Sequence, residues 1–239
     1  QIPGTKWSDL ADMTGVPYMG GAIRTDGTLW IWGANEQGEL GQNQAEAQLT
    51  AVSSPVQIPG TNWGIDVNEF GSRLAFSLGR NVAAAIKQDG TLWIWGKAGG
   101  GRLGLNAPEN THQSSPTQVP GTTWSQVVVS PASTAAIKTD GTLWVWGDNA
   151  KGNLGQNNTT NYSSPKQIPG TDWNYASVGS GRHIVASKTN GELWAWGFNG
   201  VGQLGQGNTT EYSSPVQIPG TTWERVVAQA SSSWAIRDI

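Results

Sequence analysis

The sequence predicts an all-β protein: a β-propeller of four-stranded antiparallel blades, with about five blades or as part of a larger ring. Three observations predict this fold: a repeated unit, short runs that are apolar on both faces, and Asp-Gly turns between those runs. The composition agrees, because Gly contributes 33 of the 239 residues, Trp contributes 14, and only 13% of the residues are charged. Such a composition suits a loop-rich β protein better than a helical bundle.

Four phrases recur in the same order along the chain, about every 50 to 60 residues, which is the signature of a repeat architecture. The phrase G-x-L-W-x-W-G begins at residues 27, 90, 141 and 191. The phrase Q-I/V-P-G-T-x-W begins at residues 1, 57, 118, 167 and 217. The shorter phrase S-S-P begins at 53, 114, 163 and 213, and G-x-L-G begins at 38, 101, 152 and 202.

Each unit predicts four short strands. The runs A-A-I-K and L-W-V-W lie on either side of Asp140-Gly141, and Asp-Gly between apolar runs is a strong signal for a hairpin turn. The Val-rich stretch Trp124–Val129 predicts a third strand. The segment S-S-P-V-Q-I at 213–218 predicts a fourth strand, whose proline suits the edge of a sheet.

We expect one propeller domain over residues 1–239, with units of roughly 1–52, 53–113, 114–162, 163–212 and an incomplete 213–239. This division predicts about 18 strands in five blades, the last blade without its final strand. An open edge invites pairing with another chain. Three explanations stay open: a fragment of a six- or seven-blade ring, a small ring that borrows the missing strand, or an assembly that covers the edge.

The tryptophans of the W-x-W phrases are predicted to be core residues. In L-W-I-W, Leu29 and Ile31 point to one face of the strand and the tryptophans point to the other. A blade between two neighbours can bury both faces, and regular spacing favours packing over the alternative of sugar-stacking platforms. The predicted core tryptophans are Trp30, Trp32, Trp93, Trp95, Trp144, Trp146, Trp194 and Trp196. Trp234 alone stands outside the repeated positions.

The phrases resemble the regulator of chromosome condensation repeat, whose unit is similar to V-x-x-G-x-x-H-S-x-A-L-x-x-D-G-x-L-W-x-W-G-x-N-x-x-G-Q-L-G. Residues 178–205 match this unit most fully. The resemblance implies a propeller, commonly of seven blades. Founding members are exchange factors for a small GTPase and dock on nucleosomes, but no residues here match their exchange wedge or basic docking elements. His183 keeps the family histidine, and Thr134 and Ser233 fall near its place elsewhere.

Composition and motifs exclude several functions. The formal net charge is −3 and no cluster of Lys or Arg is present, so we expect no nucleic-acid partner. No apolar run approaches the roughly 20 residues that span a bilayer. With no Cys and two scattered histidines, His112 and His183, no zinc site is predicted. Gly99–Gly101 lacks the G-K-[ST] ending of a phosphate loop. We therefore expect a protein that is not an enzyme and has no cofactor, metal or catalytic residues.

Two kinds of segment are candidate contact loops. The stretch Gly64–Val82 is longer than its counterpart 125–134, and extra residues in a regular array often map to a contact loop. Drift in a tolerant surface loop is the alternative. The second kind comprises the polar segments Asn158–Tyr162 and Asn208–Tyr212, which could meet a glycan or a protein. The alternative for them is an ordinary solvated loop. The candidate contact residues are Glu69, Phe70, Arg73, Phe76, Arg80, Asn161, Tyr162, Glu211 and Tyr212.

The sequence predicts a rigid structural or recognition module that binds a protein partner or sits in a larger assembly. The units are near-identical, cysteine-free and rich in Thr, Asn and Ser, and in this they resemble phage and secreted bacterial members of the family. This resemblance favours a phage virion or tail, or an extracellular location. The alternative function is a carbohydrate-binding lectin or adhesin with a glycan partner. A GTPase exchange factor is a distant alternative.

Overall fold

A computed structural model describes residues 7–10, 12–13, 18–44, 51–64, 75–108 and 111–237. Nineteen strands and a short 3-10 helix, Gly99–Gly101, make up this described part. The first sheet has the order β1 (Trp7–Leu10), β3 (Met19–Arg24), β4 (Leu29–Ala34), β5 (Ala51–Gln57). The second has the order β2 (Asp12–Met13), β6 (Phe76–Gly79), β7 (Val82–Ile86), β8 (Leu92–Gly96), β9 (Gln113–Gln118).

The remaining strands form two further complete sheets and a smaller one. The third sheet has the order β10 (Trp124–Val129), β11 (Ser133–Lys138), β12 (Leu143–Gly147), β13 (Tyr162–Ile168). The fourth has the order β14 (Trp173–Gly179), β15 (His183–Lys188), β16 (Leu193–Gly197), β17 (Tyr212–Ile218). The last contains β18 (Trp223–Ala228) and β19 (Ser233–Arg237). The predicted all-β fold of four-stranded antiparallel blades is confirmed.

The strands of each blade are named A to D in chain order. The A strands are β1, β6, β10, β14 and β18; the B strands are β3, β7, β11, β15 and β19; the C strands are β4, β8, β12 and β16; the D strands are β5, β9, β13 and β17. The S-S-P phrase forms strand D and pairs with the C strand before it, for example Trp144 with Gln167. Each sheet therefore takes its fourth strand from the start of the next sequence unit, and the proline lies on an edge strand.

The last sheet differs from the sequence-based count. We expected it to lack one strand, but β18 and β19 are its two strands as far as the described residues reach, to Arg237. The extra strand in the second sheet is the two-residue β2, which pairs in parallel with β6. Sequence periodicity does not predict such a short parallel pairing, because two residues carry no pattern.

The turn between strands B and C is fixed by an acidic side chain. At Asp140-Gly141 the carboxylate Oδ1 accepts hydrogen bonds from the Thr142 amide at 3.0 Å and from the Thr142 hydroxyl at 2.7 Å. Gly141 has a φ of 76°, a left-handed conformation that favours glycine. The predicted Asp-Gly hairpin turn therefore forms, and the same carboxylate–threonine bonds recur at Asp26 and Asp89.

The core lies between successive blades. Four buried clusters each combine residues of two neighbouring sheets; the cluster between the second and third sheets joins Ile86 and Ile94 to Val127 and Trp146. Successive A strands also bond to one another through side chains. The Gln126 amide, for example, donates to the Ala176 carbonyl and accepts from the Ala176 N–H, both at 3.1 Å. These bonds place the A strands at the inside of the propeller.

Candidate interaction surface

The second tryptophan of each W-x-W phrase joins two blades. Trp95, Trp146 and Trp196 are fully buried. Their indole N–H groups donate to main-chain carbonyls in the G-x-L-G loop of the preceding blade, at Glu39 (2.7 Å), Arg102 (2.9 Å) and Asn153 (3.0 Å). Trp32 of the first blade is only half-buried, and its indole N–H has no acceptor among the described residues. Burial of this tryptophan thus depends on a neighbouring blade.

The first tryptophan of the phrase belongs to the outer rim. Trp144 is half-buried, and its indole N–H donates to the Thr142 hydroxyl at 2.9 Å. The Lys138 ammonium lies 4.7 Å from the ring centroid of Trp124 and 5.0 Å from that of Trp144, a cation–π arrangement. Equivalent lysines are Lys87 and Lys188. These cations cover the ring faces that a sugar-stacking platform would need to expose.

The C–D connections all emerge at one end of the propeller, because the C strands run in the same direction in every blade. We call this surface the CD-loop end; it comprises residues 35–44, 97–108, 111–112, 148–161 and 198–211. Buried asparagines hold the loops in shape. The Asn149 amide donates to the Asn158 carbonyl at 2.9 Å and accepts from the Leu154 N–H at 2.8 Å, and Asn199 makes the same bonds in the next blade.

Each C–D loop displays two variable residues between a buried residue and a glycine. The residue before the pair is buried, the glycine after it has a positive φ, and the leucine of G-x-L-G is buried. The pairs are Glu36-Gln37, Gly99-Gly100, Ala150-Lys151 and Gly200-Val201. Glu36, Ala150 and Val201 are exposed. Position by position, the frame repeats while the displayed chemistry changes.

Charged side chains connect the third and fourth blades at this end. The Lys151 ammonium lies 2.9 Å from Glu211 Oε1 and 5.3 Å from the ring centroid of Phe198. The Arg182 guanidinium lies 3.5 Å from the Asp148 carboxylate. Exposed pairs of this kind contribute little to stability, so these groups are available to a partner at small energetic cost.

The predicted contact residues of the polar loops lie at this end with several of their groups already bonded. Asn161 Oδ1 accepts from the Asn149 N–H at 2.8 Å, and Glu211 pairs with Lys151. The hydroxyls of Tyr162 and Tyr212 accept from the side chains of Asn158 and Asn208 at 3.1 and 3.2 Å. Both tyrosine rings are half-buried and pack against the core, beneath the loops rather than on top of them.

The other predicted contact segment gives a mixed outcome. Phe76 was expected at a contact surface, and this is wrong: it is 1% exposed and lies in the core between the first two blades. The structural reason is that residues 76–79 are the A strand of the second blade. Arg80 is exposed in the turn that follows. Glu69, Phe70 and Arg73 lie outside the described residues.

The blade junctions bury ionisable groups, of which sequence reasoning identified His183 as the family histidine but did not identify Glu39. Burial raises the pKa of the Glu39 carboxyl, although hydrogen bonds, including one from the Asn81 amide at 3.2 Å, oppose the shift. Burial lowers the pKa of His183 to about 4, and His183 Nε2 lies 3.0 Å from the Ser233 hydroxyl of the next blade. The x position of G-x-L-G is buried where it is Glu39, Asn153 or Gln203. The sequence does not indicate this burial, because a polar residue between Gly and Leu is ordinarily expected to be exposed.

The register corrects one equivalence. His183 pairs with the glycine that ends its W-x-W-G phrase, and in the third blade the residue in that register is Ser133, not Thr134.

The buried groups do not converge on a site. In the described ranges, no three His, Cys, Asp or Glu side chains group closely enough to hold a metal ion. The same ranges contain no helix long and apolar enough to cross a membrane.

The repeat pattern and the blade geometry define a class of propeller, and the comparison with known families agrees. The family described as "Regulator of chromosome condensation (RCC1) repeat" matches residues 26–67, 89–137, 140–186 and 190–234. These matches cover more than half of the chain. The protein therefore belongs to the RCC1 repeat family.

Relatives of known sequence are longer. The mitochondrial RCC1 domain-containing protein RUG3 of Arabidopsis thaliana is 30% identical over 133 residues, which are 54% of this chain and 27% of that protein. The RCC2 homolog of Danio rerio is 42% identical over 136 residues, 56% of this chain and 25% of that protein. The chain thus matches less than a third of each relative's length.

Solved structures with the same fold cover the whole chain. Human WBSCR16 has a TM-score of 0.78 at 20% identity, over 100% of this chain and 60% of that one. Prp20p of Saccharomyces cerevisiae, described with its binding to Gsp1p and histones, has a TM-score of 0.78 at 17% identity, over 100% of this chain and 58% of that one. At these identities the likeness shows the fold alone.

Proposed function

We propose that this chain is a protein-interaction module of the RCC1 type and that it binds its partner through the CD-loop end. One observation carries the proposal: in every described C–D loop the variable pair, such as Glu36-Gln37 or Ala150-Lys151, stands between a buried residue and a glycine of positive φ. A rigid scaffold that presents changing side chains is the usual arrangement of a recognition surface. The protein partners named for Prp20p support a protein over a small molecule as the partner class.

The finer assignment is a structural role on a phage virion or tail, or in a secreted bacterial protein. It rests on the near-identical, cysteine-free units. Native mass measurement on material from the natural source tests it: recovery of the chain within a defined particle supports the role, and recovery as a free subunit opposes it.

Two alternatives have separate tests. A lectin would need Tyr162 and Tyr212, so Tyr→Phe variants should lose binding on a glycan array; the asparagine bonds to both hydroxyls argue against that use. An exchange factor should accelerate nucleotide release from a GTPase. Neither alternative is favoured by a specific contact in the described structure.

The main experiment compares charge changes at the two ends of the propeller. A partner is captured by cross-linking to the parent chain in extract from the natural source, identified, purified and titrated against variants. Glu36→Lys together with Ala150→Glu alters two exposed residues of the CD-loop end. We expect this variant to bind at least about tenfold more weakly, the effect of losing a few interface contacts.

The matched control carries the same change of net charge at the opposite end. Gln88→Lys together with Thr139→Ala alters exposed residues of the B–C turns. We expect parental affinity from this control and equal melting temperatures for both variants. Equal weakening by both variants would refute the assignment of the CD-loop end, and parental affinity for both would do the same.

A further inference from the structure

The B–C turn of the fourth blade differs from the other three in its first residue. The first three turns contain Asp26-Gly27, Asp89-Gly90 and Asp140-Gly141, whereas the fourth contains Asn190-Gly191. An asparagine that precedes glycine readily loses its side-chain ammonia, because a residue without a Cβ does not hinder the ring closure that expels it. Asn190 is also exposed. The chain therefore places a chemically labile pair at the tip of a hairpin.

The leaving group of Asn190 is free, and the bonds that hold the turn are few. The Asn190 Oδ1 accepts a hydrogen bond from the Glu192 N–H at 3.1 Å, and its Nδ2 donates to no acceptor among the described residues. The main-chain nitrogen of Gly191, which would attack the side chain, donates to the Lys188 carbonyl at 3.0 Å. Both bonds lie at the tip of a hairpin, where local opening costs little free energy.

The fold requires the glycine that makes Asn190 labile. Gly191 has a φ of 79°, a conformation that favours glycine. A Cβ at this position would overlap the Thr221 carbonyl oxygen. The Gly191 carbonyl also accepts a hydrogen bond from the Trp223 N–H at 3.1 Å, which ties the turn to the next sequence unit. The packing of this turn thus keeps the residue after Asn190 without a side chain.

The chain contains a second Asn-Gly pair, Asn199-Gly200, in which the side chain is locked. Asn199 is fully buried. Its Nδ2 donates to the carbonyls of Asn208 and Thr210, both at 2.9 Å, and its Oδ1 accepts from the Leu204 N–H at 3.0 Å. The same attack at Asn199 requires the C–D loop to open and all of these bonds to break. The two pairs have the same sequence and opposite surroundings.

We propose that Asn190 is a site of spontaneous deamidation in the folded protein and that Asn199 is protected from it. The Gly191 nitrogen forms a bond to the Cγ of Asn190, the Cγ–Nδ2 bond breaks, and Nδ2 leaves as ammonia with the proton of the Gly191 amide. Water then opens the five-membered imide at either of its two carbonyls. The products are aspartate and isoaspartate, and no electron transfer is involved.

The new carboxylate meets surroundings that the other hairpins do not have. In the third blade the residue two positions after Asp140 is Thr142, a neutral partner. In the fourth blade that residue is Glu192, whose carboxylate accepts the Trp194 indole N–H at 3.2 Å and lies 3.9 Å from the Lys188 ammonium. Deamidation places a second negative charge beside Glu192, and isoaspartate lengthens the main chain of the hairpin. We therefore expect the modified chain to melt at a lower temperature than the parent chain.

The test follows both asparagines in one sample. The purified chain is incubated at mildly alkaline pH, because the attacking amide must lose its proton, once in buffer and once in concentrated urea. Cleavage after Trp196 separates the two pairs, and mass spectrometry measures the conversion of amide to acid at each. In urea we expect similar rates. In buffer Asn190 should convert at least about tenfold faster than Asn199, which reacts only from a locally opened state.

Asn190→Gln is the matched variant, because glutamine keeps the amide but would have to close a larger ring. An acidic form should develop in the parent chain on native isoelectric focusing and should be absent from this variant. Survival of Asn190 in buffer while it reacts in urea would overturn the proposal. Equal conversion of Asn190 and Asn199 in buffer, or an equal acidic form from Asn190→Gln, would do the same. The test needs no partner, so its result is independent of the result at the CD-loop end.

Discussion

Trp144 and Trp146 are separated by one residue, yet their surroundings differ. Trp146 is fully buried between two blades and donates to a carbonyl of the preceding blade. Trp144 is half-buried at the rim and donates to Thr142 of its own hairpin. The environment of Trp146 exists only where two blades meet. The hydrogen-bond partner of Trp144, in contrast, lies in the same blade.

This difference separates the blade junction from the rim. In a repeat protein, stability is approximately the sum of the stability of each unit and of the interfaces between neighbours. Junction residues contribute to the interface and rim residues to the unit. Trp32 belongs to the first sheet and is half-buried like a rim residue, so position in the phrase does not by itself determine burial.

The largest expected effect comes from truncating the two tryptophans in parallel. Trp146→Ala should lower the free energy of unfolding by about 3–5 kcal/mol, the usual cost of removing a fully buried aromatic side chain. Trp144→Ala should cost about 2 kcal/mol, because part of its surface is already in water and a single neutral hydrogen bond is lost. Denaturant unfolding with a common m-value measures both. Equal losses would contradict the distinction between junction and rim.

The second prediction concerns pH at the junction of the last two sheets. His183 has a pKa of about 4 in the folded protein because it is buried, against about 6.5 in an unfolded chain. The unfolded state therefore takes up a proton first as the pH falls. The contribution of His183 to stability should be nearly constant above about pH 6.5 and should decrease by about 3 kcal/mol between pH 6.5 and 4.

The matched variant for this prediction is His183→Ser, because the third blade carries Ser133 in the same register. Its stability should vary less over the same pH range, since the remaining histidine, His112, is common to both proteins. Identical pH profiles for parent and variant would show that His183 takes up its proton equally in both states.

Much of the fold could be predicted from the sequence because propeller blades are built from local signals. Asp140-Gly141 indicates the hairpin, and Pro165 indicates an edge strand; the structure has both. Strand pairing between sequence units was harder to predict. The S-S-P strand completes the preceding sheet, and the two-residue β2 pairs with β6. Those pairings depend on long-range packing, which no local pattern specifies.

The candidate surface was predicted less well. Glu211 and Asn161 lie at the CD-loop end, but Phe76 is a core residue, because insertion length alone does not distinguish a surface loop from the strand that follows it. The cation between two indoles was missed. Its lysine ends the apolar run A-A-I-K, and a terminal lysine is ordinarily read as solvated; only the pairing of Lys138 with Trp124 brings the two together.

That lysine gives the smallest expected effect and the sharpest test of the rim. Lys138→Met keeps most of the apolar stem but removes the charge, so it should lower stability by about 0.5–1 kcal/mol, the range for a partly exposed cation–π contact. Lys97→Met is the control, since Lys97 faces no aromatic ring among the described residues; it should cost less. Lys138→Met could instead lower the free energy of unfolding as much as Trp146→Ala does. That result would mean that the cation also supports the blade junction, because a contact confined to one blade's rim cannot stabilise the chain as much as the packing of two blades.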